Sequence, residues 1–167
     1  MNTFKTKDLI ILSLLIGLNV VLSRLLSINT WSIKIGFTFL TIYVGSYLYG
    51  PLGGILVGGV GDVIGSLLFP TGPYFPGFTL TAVLTGLLYG FLLKKNDDIK
   101  IIVLTCIINE FIINFLINTY WIYVISNANY LALLSTRVVQ AIVKCVVGVI
   151  SIKLLSKTLP SFERRMK

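Results

Sequence analysis

The sequence predicts an all-α membrane protein, a bundle of six transmembrane helices forming one integral-membrane domain over residues 1–167. Three observations predict it. Hydrophobic residues make up 56% of the chain and charged residues 12%, with a mean hydropathy of +0.93, more apolar surface than a soluble domain of this length can bury. The apolar positions gather into runs near the ~20 residues that a membrane span requires. Short stretches rich in Pro, Gly or charge, not long polar linkers, separate those runs.

The first span is read over residues 9–26. A basic start followed by an apolar run has the outline of a signal peptide. This run is long enough to span, however, and no A-x-A-like cleavage site follows it, so it is read as a retained helix. Its SLLIG segment at 13–17 sets Ser13 and Gly17 four apart, a strip that lets another helix approach closely. The second run, 35–49, is short and β-branched. The third, 54–69, carries GILVG at 54–58 and GDVIG at 61–65, two further small-residue strips, and one acid, Asp62. An ionised group in hydrocarbon is costly, so Asp62 is expected to face the protein interior or a wet cavity.

Residues 70–77 are too rich in Pro and Gly for helix and make a loop. The fourth span, 78–93, contains GLLYG at 86–90. A short turn with Lys94, Lys95 and Lys100 leads to the fifth span, 99–120, and the sixth runs over 136–155.

An even number of spans puts both termini on one side. That side holds Lys5, Lys7, Lys94, Lys95, Lys100, Lys153, Lys157, Arg164, Arg165 and Lys167. The other holds Arg24, Lys34 and Arg137, while Lys144 lies within a span. The bias of basic residues toward the cytoplasm therefore predicts cytoplasmic termini in the cell membrane. The external loops are then 27–34, 70–77 and 121–135, with Trp31, Tyr74, Phe75, Trp121, Tyr123 and Tyr130 at the boundary. Such aromatics either anchor the protein in the interface or line a site.

Several function classes drop out. The net charge of +8 follows topology, and no basic face alternates with aromatics as nucleic-acid binding requires. The chain has no His, which removes the usual imidazole ligand and general base. Cys106 and Cys145 sit inside apolar runs and read as small buried side chains. There is no nucleophile–base pair, no Walker A segment and no metal cluster, so neither an enzyme nor a cofactor is expected. No internal repeat supports an inverted-repeat transporter.

Polar residues on two spans carry the functional expectation. Glu110, Asn114 and Asn118 recur at helical spacing beside Asn109, and Arg137, Gln140 and Lys144 do the same on the sixth span. Glu110 and Lys144 fall at similar depth, where they either form a structural ion pair or meet a polar ligand. A cavity between these helices accounts for both stripes together. Arg24 lies at the external end of the first span, where a guanidinium either snorkels to headgroups or takes a carboxylate through paired hydrogen bonds.

The order of six spans, GDVIG at 61–65 and above all FPTGPYFPGFT at 69–79 resemble the substrate-binding S components of energy-coupling factor (ECF) vitamin transporters. SRLLSI at 23–28 and Thr136-Arg137 resemble the folate-specific branch in particular. The resemblance implies a vitamin site near the external face, beneath gate loops. Pro70, Thr71, Gly72, Pro73, Pro76 and Gly77 would form one gate. It also implies a transmembrane coupling protein and two cytoplasmic ATPases as partners, which hydrolyse ATP on the S component's behalf. Ser13 and Gly17 stand where that family has alanines contacting the coupling protein. For a folate, Tyr74, Phe75, Phe78 and Trp121 are candidates to stack on the rings, with Thr79 beside them at the end of the loop motif. Asn109, Glu110 and Asn114 are candidates for the pterin edge, and Arg24 or Arg137 for a carboxylate. Another vitamin on the same fold, such as thiamine or riboflavin, and a non-transport membrane scaffold are the alternatives.

Overall fold

The computed structural model describes residues 5–29, 34–70, 74–126 and 129–166. Within these residues the chain forms six helices: α1 (Thr6–Arg24), α2 (Thr38–Tyr49), α3 (Pro51–Leu68), α4 (Pro76–Leu92), α5 (Ile99–Ser126) and α6 (Tyr130–Met166). Two short strands, β1 (Ile28–Asn29) and β2 (Lys34–Ile35), pair antiparallel between α1 and α2, with Ile28 opposite Ile35 and Asn29 opposite Lys34.

Local chemistry sets the ends of these helices. Asp8 in the first turn of α1 reaches back to accept from the Lys5 backbone N–H at 2.9 Å, satisfying a donor that the helix leaves open. Asp98 caps α5 by accepting from the Lys100 N–H at 3.0 Å. Pro51 and Pro76 each open a helix, where a missing N–H costs nothing. Between α2 and α3 the chain reverses at Gly50, whose φ of 71° is a conformation that glycine adopts without steric cost.

Four helices, α1, α3, α5 and α6, are long and apolar enough to cross a membrane, and α4 is a shorter apolar helix of 17 residues. Helix α2 has only 12 residues, about 18 Å against a hydrocarbon layer of about 30 Å. Phe39, Thr41, Ile42, Tyr43, Gly45, Ser46 and Tyr47 are buried in it, so neighbouring helices surround it more than lipid does. Helices α5 and α6 continue past the apolar runs at 99–120 and 136–155 because hydropathy marks only the apolar part of a helix. Trp121, Tyr123 and Tyr130 are consequently helical.

Tyr43, Tyr47, Val57, Tyr89, Leu93, Ile102, Cys106 and Ile152 form the centre of the core. Leu14, Leu67, Phe91, Leu131 and Val139 face outward and are exposed, as suits helices solvated by lipid. Cys106 and Cys145 are both free thiols.

The small-residue strips decide how the helices pack. Gly54 of α3 and Gly86 of α4 lie against each other, and a Cβ on either would overlap the other's backbone. One turn along, a Cβ on Gly58 would stand 2.7 Å from the Ala82 carbonyl oxygen. The Ser46 hydroxyl of α2 donates to the Gly86 carbonyl at 3.2 Å, which ties a third helix to this seam. Gly17 of α1 differs, since no described residue comes within 4 Å of a Cβ placed there.

Replacing Gly86 with Leu is therefore expected to destabilise the protein by at least ~1–3 kcal/mol, the usual cost of overpacking. Gly17→Ala is expected to stay within about 0.5 kcal/mol of the parent. Thermal unfolding of the two purified variants in detergent measures the difference.

Candidate functional site

Helix α4 places three polar or small residues on one face at four-residue intervals, Gly77, Thr81 and Thr85. All three are buried. Thr85 donates to the Asn109 side-chain oxygen of α5 at 2.9 Å. Thr81 donates to the Gly77 carbonyl at 2.9 Å and accepts from the Trp121 indole N–H at 3.1 Å. Gly77 has no room for a side chain, because a Cβ would fall 2.5 Å from the Phe75 ring and 2.6 Å from the Trp121 ring. Phe75 and Trp121 pack at 5.6 Å between centroids, and Phe75 meets Phe78 edge-on at 6.0 Å. Phe75, Phe78 and Trp121 thus form one aromatic group at the start of α4, built around a glycine.

On α5, the backbone widens into π-helical turns over Ile108–Ile117. Such widening changes which side chains share a face and is frequent at functional sites. Here the Asn114 amide donates five residues back to the Asn109 carbonyl at 3.1 Å and also reaches Glu110 at 3.4 Å. The Asn109 amide donates to the same Glu110 oxygen at 2.8 Å. The other Glu110 oxygen lies 3.2 Å from Lys144 Nζ on α6. Asn109, Glu110 and Asn114 are therefore brought together, in a network that runs from Thr85 on α4 to Lys144 on α6.

A second ion pair lies between other helices. Arg24, the last residue of α1, is 3.6 Å from Asp62 of α3. Thr79 of α4 donates to Asp62 at 2.7 Å, and the Tyr74 and Thr79 hydroxyls are 3.1 Å apart. Asp62 faces the protein, and this places Arg24, Tyr74 and Thr79 in one connected group.

Arg137 on α6 is only 4% exposed. Its Nη1 donates to the Thr119 hydroxyl at 2.7 Å, while its buried Nε has no hydrogen-bond partner among the described residues. Asp62 is paired with Arg24 and Glu110 with Lys144. Among the described residues, Arg137 alone of these three buried-site cations forms no ion pair. A buried guanidinium with an open donor is costly unless an anion or hydrogen-bond acceptor meets it.

Apart from Gly77, the remaining candidates fall outside these groups. Ser13 and Gly17 lie on the exposed face of α1, and Ser13 donates to the Leu9 carbonyl at 2.8 Å. Pro70 is exposed just past α3, and Pro76 and Gly77 belong to the first turn of α4. Thr71, Gly72 and Pro73 lie outside the described residues, as does Trp31. Sequence reasoning did not single out Thr81, Thr85 and Thr119, nor name Asp62 as a partner of Arg24. The four-residue recurrence of Gly77, Thr81 and Thr85 in an apolar helix is the signal that marks that face.

Comparison with known proteins matches this chain to a family described as "ECF transporter, substrate-specific component" over residues 7–156. A curated relative, the folate transporter FolT of Clostridium novyi (strain NT), is 36% identical over 137 residues, 81% of this chain and 80% of the relative. The folate transporter FolT of Leuconostoc mesenteroides subsp. mesenteroides is 36% identical over 92 residues, 55% of this chain and 49% of that one. Among solved structures, a crystal structure of FolT bound with folic acid superposes with a TM-score of 0.87 at 30% identity, covering 92% of this chain and 95% of the other.

The Glu110–Lys144 pair carries its own prediction. Lys144→Met strands a buried carboxylate and is expected to cost about 3–5 kcal/mol. Adding Glu110→Gln in the same chain is expected to restore most of that loss, since it leaves no net charge behind. Unfolding midpoints of the single and double variants report both effects.

Proposed function

This chain belongs to the substrate-specific components of ECF transporters, and we propose that it captures a folate from outside the cell for delivery inward. The family supplies a multi-pass membrane subunit that transports without catalysing a reaction of its own. The observation that carries the ligand assignment is Arg137, a buried cation with no carboxylate partner among the described residues. A folate has a flat pterin, an aromatic linker and a glutamate with two carboxylates. One carboxylate supplies the charge that Arg137 lacks, through the planar hydrogen bonding that guanidinium favours.

The other parts of the ligand have matching groups nearby. Phe75, Phe78 and Trp121 offer ring faces and edges, and stacking of this kind contributes roughly 1–3 kcal/mol per ring by analogy with nucleic-acid bases. Asn109, Glu110 and Asn114 offer donors and acceptors for the pterin edge. Tyr74, Thr79 and Arg24 complete the outer rim in this reading. A cationic vitamin such as thiamine fits less well, because Asp62 and Glu110 already hold cations of the protein.

Cytoplasmic termini and an outer gate at 70–77, whose last two residues begin α4, are part of the same proposal, as are a transmembrane coupling protein and two ATPases as partners. The exposure of Ser13 and Gly17 on α1 supports a coupling contact there, for these are small residues on a face the chain itself leaves uncovered.

Arg137→Ala is expected to weaken folic acid binding more than tenfold while the unfolding midpoint stays close to the parent value. Isothermal titration of the purified variant tests this, and an unchanged affinity would remove Arg137 from the site. Gly17→Leu is expected to cut ATP-dependent folate uptake at least tenfold in vesicles holding the complete transporter, with a far smaller effect on folate affinity.

A further inference from the structure

The contacts of Asp62 determine more than the placement of Arg24. A hydroxyl has one proton to donate, whereas an ionised carboxylate can only accept. Thr79 Oγ1 spends its proton on Asp62 Oδ2 at 2.7 Å. The 3.1 Å contact between Thr79 Oγ1 and the Tyr74 hydroxyl must then run the other way, with Tyr74 donating and Thr79 accepting. The order is Tyr74 to Thr79 to Asp62, and the ion pair with Arg24 anchors its acceptor end. With its proton committed, the phenol oxygen of Tyr74 has only lone pairs left. Tyr74 is 47% exposed, so the protein leaves room for a ligand beside this residue.

We infer that Asp62 is a positioning residue that sets the polarity of Tyr74, making its phenol oxygen an acceptor that selects a ligand edge bearing N–H groups over one bearing a carboxylate. The inference rests on the folate reading above and adds an orientation to it. The ring end of the ligand, which carries amino and N–H donors, meets Tyr74, and the acidic end lies away from it. Asp62 does this without touching the ligand. Charge-assisted hydrogen bonds are the stronger kind, so the Asp62 end dictates the direction of the chain. A neutral amide at position 62 can donate as well as accept. It therefore permits the reverse order, in which Thr79 donates to Tyr74 and the phenol turns its proton toward the ligand.

Folic acid affinity of the purified full-length protein, measured by isothermal titration, tests this with Tyr74→Phe, Asp62→Asn and the double variant. Tyr74→Phe is expected to bind about tenfold more weakly. Asp62→Asn is expected to lose at least threefold in the parent background and less than twofold in the Tyr74→Phe background, because its effect passes through the phenol. Equal losses in the two backgrounds would show that Asp62 acts through Arg24 or the fold alone, and would overturn the inference. Thr79→Val interrupts the chain with the ion pair left in place, which covers the case of an Asp62 variant that does not fold. Thr79→Ser, which keeps a hydroxyl, is expected to bind at least threefold more tightly than Thr79→Val, and equal affinities would overturn the inference. Pteroic acid, which has the rings and their N–H groups but no glutamate, is expected to show the same tenfold loss in Tyr74→Phe. A loss seen with folic acid and absent with pteroic acid would place Tyr74 at the glutamate and overturn the inference while the folate reading stood. Failure of the parent protein to bind folic acid would overturn both.

Discussion

The contact between Gly54 and Gly86 is the constraint on which the site depends. With hydrogen in place of a side chain on both helices, the backbones of α3 and α4 come together at one point, and Ser46 of α2 bonds into the same seam. Once that point is set, the helical rise carries Asp62 and Thr79 to within a hydrogen bond of each other toward the other end of the pair. The face of α4 that bears Gly77, Thr81 and Thr85 is turned by the same contact, Thr85 toward Asn109 and Thr81 toward Trp121. Lipid offers little drive to bring apolar helices together, so close packing at small residues has to supply it.

The second organising rule is the cost of charge away from water. Two of the three buried-site cations are matched inside the protein, Arg24 by Asp62 and Lys144 by Glu110. These pairs also hold helices in register, the first between α1 and α3 and the second between α5 and α6. Arg137 has a neutral hydroxyl for a partner, and no described residue satisfies its Nε. Among the described residues, Arg137 is thus the one of these three cations that no carboxylate of the protein neutralises, and burial makes that arrangement costly.

Much of the fold was legible before any coordinates. Six apolar runs gave six helices, and the charge of Asp62 in an apolar run was sufficient to turn it inward. The small-residue strips were legible as packing surfaces, and GILVG at 54–58 does pack against GLLYG at 86–90. The pairing of Glu110 with Lys144 was one of two open options, and the ion pair at 3.2 Å forms. Helix ends were less legible. Residues 121–126 and 130–135 carry aromatic and polar side chains that a hydropathy argument assigns to a loop, yet backbone hydrogen bonding continues through them.

Composition and spacing by themselves determined the class of molecule, the number of helices, and which few polar residues had to be accounted for. Those follow from transfer energies, which depend on residue type and local order alone. Only the tertiary structure decided which charge meets which. Arg24 and Asp62 are far apart in the chain, and nothing in their neighbourhoods indicates that one neutralises the other. The π-helical turns of α5 likewise bring Asn114 onto the Asn109 carbonyl five residues back, while its contact with Glu110 keeps the spacing of an ideal helix. Pairing energies fall steeply with distance, and the distances come from how glycine seams and widened turns rotate whole helices. That rotation is a property of the packed bundle and has no counterpart in any one segment.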